Sequence, residues 1–297
     1  MSTAVSICIV TYQARAYLKE CLTSLFESSS LLTLEVIVVD NGSRDGTADM
    51  LDAEFPGVRV IRNETNTGYT RPMNQALRAG SGDFLVQLNP DTQVLPGALD
   101  KMVEQMQSYP QVGICGPKML NRDQSFQQQC RRGDPRPWAV ISYFLRLYKL
   151  FPRSKFFGGY LLNYMGEDNA TPVDNVSGSC MLIRQAVIEQ IGYLDEDLYA
   201  YQEDTDFCWR ARAAGWQVFY LPQAQIIHYG GLGGSRVEPY RSIIEWHRSY
   251  WIYYRKHLAK DYFFLLNWLY YLLMLIKLGF TLSLNFLRKE KYAGPKR

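Results

Sequence analysis

The chain has 297 residues, 47% hydrophobic and 14% aromatic, which supports one large packed domain or two modest ones and excludes a disordered chain. Its net charge of +3 is unevenly placed: residues 241–297 hold 11 Lys/Arg against 3 Asp/Glu, and residues 1–240 hold 21 against 26. A basic tail by itself would suit nucleic acid, but this tail contains FFLLNWLYYLLMLI at 263–276, and basic with apolar points to an anionic membrane surface instead.

The start, Met1 to Ala4, leads straight into strand-like VSICIV without a basic and apolar leader, and the six cysteines show no C-x-x-C pairing; a cytosolic, reducing setting is expected. Up to residue 116, short apolar runs alternate with helical patterns: VSICIV, a helix, LEVIVV, a helix, VRVI, a helix, DFLVQL, a helix and VGICG. That rhythm predicts an α/β fold with a mostly parallel central sheet, because parallel neighbours need crossover helices. Ligands of such sheets gather at the carboxyl ends of the strands, here Thr11-Tyr12, Asp40-Asn41 and Asn89-Pro90-Asp91, so these clusters should meet in one crevice.

From 117 to 175 the periodicity weakens. Trp138, Ile141, Phe144, Tyr148 and Phe151 recur at helical spacing among Arg136, Arg146, Lys149, Arg153 and Lys155, which fits either a core-facing helix or a membrane-surface element. NVSGSCMLIR reads as a strand whose glycine marks a close approach to the backbone. A helix opens near Glu203, WQVFYL and AQIIHYGG read as strand segments, the glycine-rich GGLGGS occupies 230–235, and a long helix starts near Pro239. Between Phe263 and Leu287 the only charge is Lys277. Asn267, Tyr271, Met274, Lys277, Thr281 and Asn285 recur three or four apart as a thin polar stripe with basic flanks, so the helix is expected to lie in the cytoplasmic face of the membrane, a single span being the alternative.

Several residues suit chemistry, each with a plainer explanation beside it. Asp40 opens DNGSRDG, a turn-forming run, yet a carboxylate there also accepts the imide N–H of uracil or thymine. Asp91 ends a buried strand, where it either caps a turn or holds a hard cation together with substrate phosphates. In YQEDTDFCWR, acids at a helix start favour the dipole, but crowded carboxylates repel, and a raised pKa would make Glu203 or Asp204 a general base. His228 sits at a strand-to-loop junction, as a structural histidine or a ligand. Neither G-x-G-x-x-G after the first strand nor a P-loop is present.

The ordered set VTYQ, VVDNGSRDGT, NTGYTRPMNQA, LNPDT, GSCMLIR, YQEDTDFCWR and HYGG resembles the family 2 glycosyltransferases of the GT-A fold, and within them the bacterial rhamnosyltransferase-like branch. The resemblance implies a nucleotide-sugar-binding half at 1–117, an acceptor-binding and catalytic half of the same domain at 118–238, and C-terminal helices with a membrane-associating tail at 239–297. It assigns the nucleoside to Thr11, Tyr12, Asp40 and Asn41, and the donor diphosphate and sugar to Asn66, Gly68, Arg71 and Asn74, with Asn89 and Arg210 also on the donor side. Asp91, last residue of the family's Asp-x-Asp, would bind Mg²⁺ or Mn²⁺ with His228. Asp204 matches the catalytic base, with Glu203 and Asp206 beside it. Two departures stand out: Asn89 replaces the first aspartate, removing a charge, and Gln13 replaces an asparagine. The implied activity is metal-dependent, inverting transfer of a sugar, L-rhamnose from a dTDP- or UDP-linked donor, to a glycan or polyprenyl-diphosphate acceptor in cell-surface polysaccharide synthesis. A sugar nucleotidyltransferase and a non-catalytic, membrane-anchored sugar-nucleotide-binding protein are the alternatives.

Overall fold

Strands that are apolar along their whole length are buried on both faces, and they build the centre of this protein. The computed structural model describes residues 4–28, 32–230 and 237–287; the expected GGLGGS loop beyond Gly230 and the basic flank after Leu287 lie outside the described residues. β1 (Ala4–Thr11) runs parallel to β2 (Thr33–Asp40), with Thr11 opposite Asp40, and β3 (Arg59–Arg62) lies beyond β2. β4 (Phe84–Leu88), buried at every position, runs parallel to β1 on its other side. The helices α1 (Arg15–Ser28), α2 (Thr47–Glu54) and α3 (Thr70–Ala79) make the crossovers.

After β5 (Thr92–Val94), α4 (Ala98–Ser108) and β6 (Val112–Leu120), the chain forms β7 (Arg131–Arg132), the short helices α5 (Pro137–Phe144), α6 (Leu147–Leu150) and α7 (Lys155–Gly158), then β8 (Thr171–Pro172), β9 (Asn175–Val176) and β10 (Cys180–Arg184). Next come α8 (Gln185–Ile191), α9 (Glu203–Ala213), β11 (Gln217–His228), α10 (Pro239–Tyr253) and α11 (Phe264–Leu287). One nine-stranded sheet has the order β3-β2-β1-β4-β10-β6-β11-β5, with β8 also on β11, while β7 and β9 pair separately. β10 enters antiparallel between β4 and β6, so strands from both halves of the sequence share one sheet and one core.

Three expectations change in detail. NVSGSCMLIR is two strands, β9 and β10, separated by the turn Ser177-Gly178-Ser179. WQVFYL and AQIIH form one strand whose register shifts between Leu221 and Gln225, where Pro222 interrupts the ladder. Residues 137–158 are three short helices rather than one, broken where Arg146 takes a left-handed φ of 57°. All six cysteines are buried free thiols.

The C-terminal helices wear their polarity inside out. On α11, Asn267 receives the Tyr254 hydroxyl at 2.5 Å and donates to the carbonyls of Ala259 and Tyr262, Tyr270 and Asn285 are buried, and Lys277 meets His247 Nε2 at 3.0 Å over the Trp246 ring. The polar stripe therefore packs on the protein, while Trp268, Leu275, Phe280 and Phe286 stand in solvent. By length and composition α11 is a candidate membrane span, with a mean hydropathy of 1.5.

Candidate active site

β2, β1 and β4 run side by side and parallel, so their carboxyl ends, with Asp40-Asn41, Thr11-Tyr12 and Asn89-Pro90-Asp91, lie along one edge of the sheet. Thr11 is fully buried, and its hydroxyl has no hydrogen-bond partner among the described residues. Tyr12 donates to Glu238 at 3.4 Å, and Asp40, also buried, accepts the Ser43 N–H at 3.0 Å. Gln13, in a left-handed conformation (φ 52°), accepts the Arg44 N–H and donates its own N–H to Ser43, so it shapes the loop after β2.

Asn41 does structural work on the next loop. Its amide donates to Asn66 Oδ1 (2.9 Å) and the Gly68 carbonyl (2.7 Å), and its oxygen accepts from Asn63, the Thr67 N–H and the Thr67 hydroxyl. Asn66 in turn reaches Glu238 and Tyr199. Gly68, at φ 97°, lies so close to Tyr199 that a Cβ would fall 2.6 Å from its carbonyl oxygen. Asn74, expected to line the donor site, is fully buried and ties α3 to the segment after α8: it donates to the Leu194 carbonyl and Glu196 and accepts the Leu194 N–H. Arg71 remains exposed, 3.7 Å from Glu196. Arg210, also expected on the donor side, is occupied by Asp206 and the carbonyls of Ile191 and Tyr193.

At the mouth of β4, Asn89 accepts the Tyr69 hydroxyl at 3.0 Å and donates to Ser179. Asp91, 4% exposed, comes within 3.4 Å of His228 Nε2, because β11 ends there antiparallel to β5. The other ring nitrogen, Nδ1, lies 2.8 Å from Gln127 Oε1. Gln127 Nε2 donates to Asn121 Oδ1 and to the His228 carbonyl, which fixes the amide with its oxygen toward the ring. An amide oxygen only accepts, so Nδ1 carries a hydrogen, and Nε2 is the ring nitrogen turned toward Asp91 and the one a cation would use. One carboxylate oxygen and one imidazole nitrogen fit Mg²⁺ or Mn²⁺ when diphosphate oxygens and water complete the shell. Among the described residues no cluster of three or more His, Cys, Asp and Glu forms a full cage.

The start of α9 supplies the second pole. Tyr201 and Gln202 both take left-handed φ values, 67° and 62°, a costly pair for non-glycine residues that turns Glu203 and Asp204 inward. Asp204 Oδ2 accepts the Gly178 N–H (2.9 Å) and the Arg132 guanidinium (2.7 Å), and Oδ1 accepts the N–H and hydroxyl of Thr205. Gly178 is needed for that approach, since a Cβ would fall 2.3 Å from Gln87 Nε2 and 3.1 Å from Asp204 Cβ. Burial alone would raise the Asp204 pKa, but Arg132 and these hydrogen bonds prevail and hold it below the usual carboxylate range. For Glu203 the balance is reversed: burial first and the Asp204 charge second push it upward against a backbone hydrogen bond and the Arg132 charge, and its Oε2 is buried without a hydrogen bond among the described residues.

Tyr69 joins the two poles. Its hydroxyl is on Asn89, and its pKa is raised by burial and then by the charges of Glu203, Asp204 and Asp91. The bonds Asn89–Ser179 and Gly178–Asp204 trace the same path through the turn before β10. Arg132, Gln127 and Ser179 were not legible as site residues: each acts through a partner dozens of positions away.

The family model for glycosyl transferase family 2 matches residues 6–192. The chain belongs to this family. The match ends before Glu203, Asp204 and His228. Among relatives, the family member is 30% identical over 273 residues to the N-acetylglucosaminyl-diphospho-decaprenol L-rhamnosyltransferase of Mycobacterium tuberculosis, covering 85% of this chain and 84% of the relative. It is 27% identical over 239 residues to the low-salt glycan biosynthesis hexosyltransferase Agl10 of Haloferax volcanii, covering 78% and 69%. Its GT-A fold matches the Pyrobaculum calidifontis mannosyltransferase in complex with GDP-Man and Mn²⁺ (TM-score 0.58, 17% identity, 86% of this chain) and S. aureus TarS in complex with UDP-GlcNAc (TM-score 0.58, 19%, 85%). The chain spans 65% of the length of each of those two.

Proposed function

We propose that this family 2 member is an inverting, metal-dependent glycosyltransferase that moves L-rhamnose from a dTDP- or UDP-linked donor to a polyprenyl-diphosphate-linked acceptor at the cytoplasmic face of the membrane. The observation that supports it best is the meeting of the Asp91–His228 pair and the Glu203–Asp204 pair around Tyr69. The decaprenol-linked rhamnosyltransferase relative supports the substrate class, and the exposed apolar face of α11 supports the location.

In this mechanism Thr11, Tyr12 and Asp40 take the nucleoside, with the Asp40 carboxylate accepting the imide N–H of the pyrimidine. Asp91 and His228 hold a divalent cation, which when bound offsets the negative charge of the donor diphosphate. The acceptor hydroxyl approaches the opposite face of the sugar. The Glu203–Asp204 pair takes its proton as the new bond to the anomeric carbon forms and the bond to the diphosphate breaks, with no covalent enzyme intermediate. Arg132 fixes the geometry of Asp204, and the charge of Asp204 raises the proton affinity of Glu203.

The test uses the full chain with Mg²⁺ or Mn²⁺, a panel of nucleotide sugars and a polyprenyl-diphosphate-linked N-acetylglucosamine acceptor. Acceptor-dependent release of nucleoside diphosphate, greatest with dTDP-rhamnose, is the expected result. No acceptor-dependent release with any donor would refute transfer, and a product with the donor's anomeric configuration would refute inversion.

A further inference from the structure

Residues 137–158 are built the wrong way round for a soluble surface. The small Ser142 faces inward and donates to the Phe157 carbonyl at 2.6 Å, and Trp138 Nε1 donates to the Phe156 carbonyl at 3.0 Å, so the three short helices close on one another. Their large apolar side chains point out: Leu145 is 63% exposed, Leu150 70% and Phe156 63%, with Ile141, Phe144 and Phe151 also exposed. A contiguous face of this kind signals an interaction surface rather than scattered surface residues.

Charge identifies what it meets. No Asp or Glu occurs between Asp134 and Glu167, while Arg146, Lys149, Arg153 and Lys155 are exposed around the apolar residues. A second copy of the chain would set this basic rim against its own image, whereas an anionic leaflet complements it and takes the aromatic side chains at headgroup depth. The patch also borders α11: Lys277 Nζ lies 4.9 Å from the Phe144 ring and 3.8 Å from Trp246, so α5 and α11 meet across α10.

We propose that α5–α7 form a second membrane-docking element, seated in an anionic leaflet beside α11. The inference rests on the reading of α11 as a membrane-contact helix and adds an orientation. The patch grows directly from β7, whose Arg132 holds Asp204, and Tyr160 at its far end meets the Tyr250 hydroxyl of α10 at 2.8 Å. Docking by both elements therefore presents the α9 side of the crevice to the bilayer, where a lipid diphosphate carries its acceptor hydroxyl.

The experiment is vesicle co-flotation of the full chain with phosphatidylcholine alone and with about 30 mol% phosphatidylglycerol added, which supplies the anionic charge. The wild type is compared with L145E/F151E in the patch and L269E/I276E on α11. These four side chains are exposed, so folding, checked by circular dichroism, should persist. The expected result is roughly tenfold or greater loss of binding to anionic vesicles for L145E/F151E with α11 intact, and weakening of wild-type binding by salt. Wild-type binding by L145E/F151E, with loss in L269E/I276E, would overturn the patch and leave α11 as anchor. Absence of wild-type binding would overturn both. Unchanged flotation together with loss of self-association in sedimentation for L145E/F151E would overturn the proposal in favour of a second copy.

Discussion

Replacing Arg132 with leucine should separate the electrostatic role of this residue from its packing. The Arg132–Asp204 contact is 2.7 Å, with the side chains 13% and 11% exposed, so little water is available to replace the lost partner. Breaking a buried pair on one side typically costs about 3–5 kcal/mol, which for a domain of this size corresponds to roughly 6–20 °C in Tm. The sign of the pH dependence follows from linkage. Asp204 is held below its unfolded pKa, so its pairing contributes stability above the ordinary aspartate value of about 3.9, and that contribution fades as pH falls through the folded value. In R132L the carboxyl stays buried without its counter-charge, so the loss is greatest at neutral pH and shrinks toward about pH 4, where protonation relieves it. The assay is urea unfolding of wild type and R132L across that range, with R132L/D204L as control. The double variant should recover much of the loss, because no unpaired charge remains. An equal loss at both ends of the pH range, or no recovery in the double variant, would refute the reasoning and leave Arg132 as a packing residue.

If Glu203 holds the exchangeable proton of its pair, kcat/KM should rise with pH through the neutral range, since the deprotonated form is active and its pKa is raised; E203Q should abolish the rise and lower kcat, as steady-state rates over pH would reveal. Replacing Gln127 with leucine should weaken Mn²⁺ binding about 10–100-fold with Asp91 and His228 intact, measured by titration in the presence of nucleoside diphosphate; unchanged affinity would refute its orienting role. Gly178→Ala should lower kcat by about 10²-fold through displacement of Asp204 while leaving nucleotide affinity near wild type, because the Cβ runs into Gln87 Nε2 and Asp204 Cβ and not the nucleoside side.

Much of the fold is written locally. The apolar runs that become β1, β2, β4 and β6 are read directly, since burial on both faces leaves no room for polar alternation. The place of β10, antiparallel between β4 and β6, is not, because pairing order depends on contacts between residues far apart in sequence, such as Cys180 with Leu88 and Leu182 with Cys115. At the site, carboxylates at strand and helix ends stand out by type and position. Amides do not declare their role: Asn41 and Asn74 look like ligand contacts in sequence, yet each makes several bonds to its own protein. Gln127 lies in SFQQQC, where neither periodicity nor charge singles it out. For 137–158, aromatic spacing alone allowed a core helix, and only the backbone break at Arg146 and the exposed side chains show which face turns away from the core.

The polar seam beneath α11 bears on how the protein should be handled. Tyr254 stacks on Tyr270 at 3.9 Å, Trp209 of α9 lies over His257 at 4.0 Å, and Asp206, two positions from Asp204, receives both His257 and Lys256. Cutting the chain before Asp261 to gain solubility would strip one side from this aromatic stack and loosen the floor under α9. Recoding the outward leucines of α11 to polar side chains leaves that floor in place, and is the safer route to a detergent-free sample.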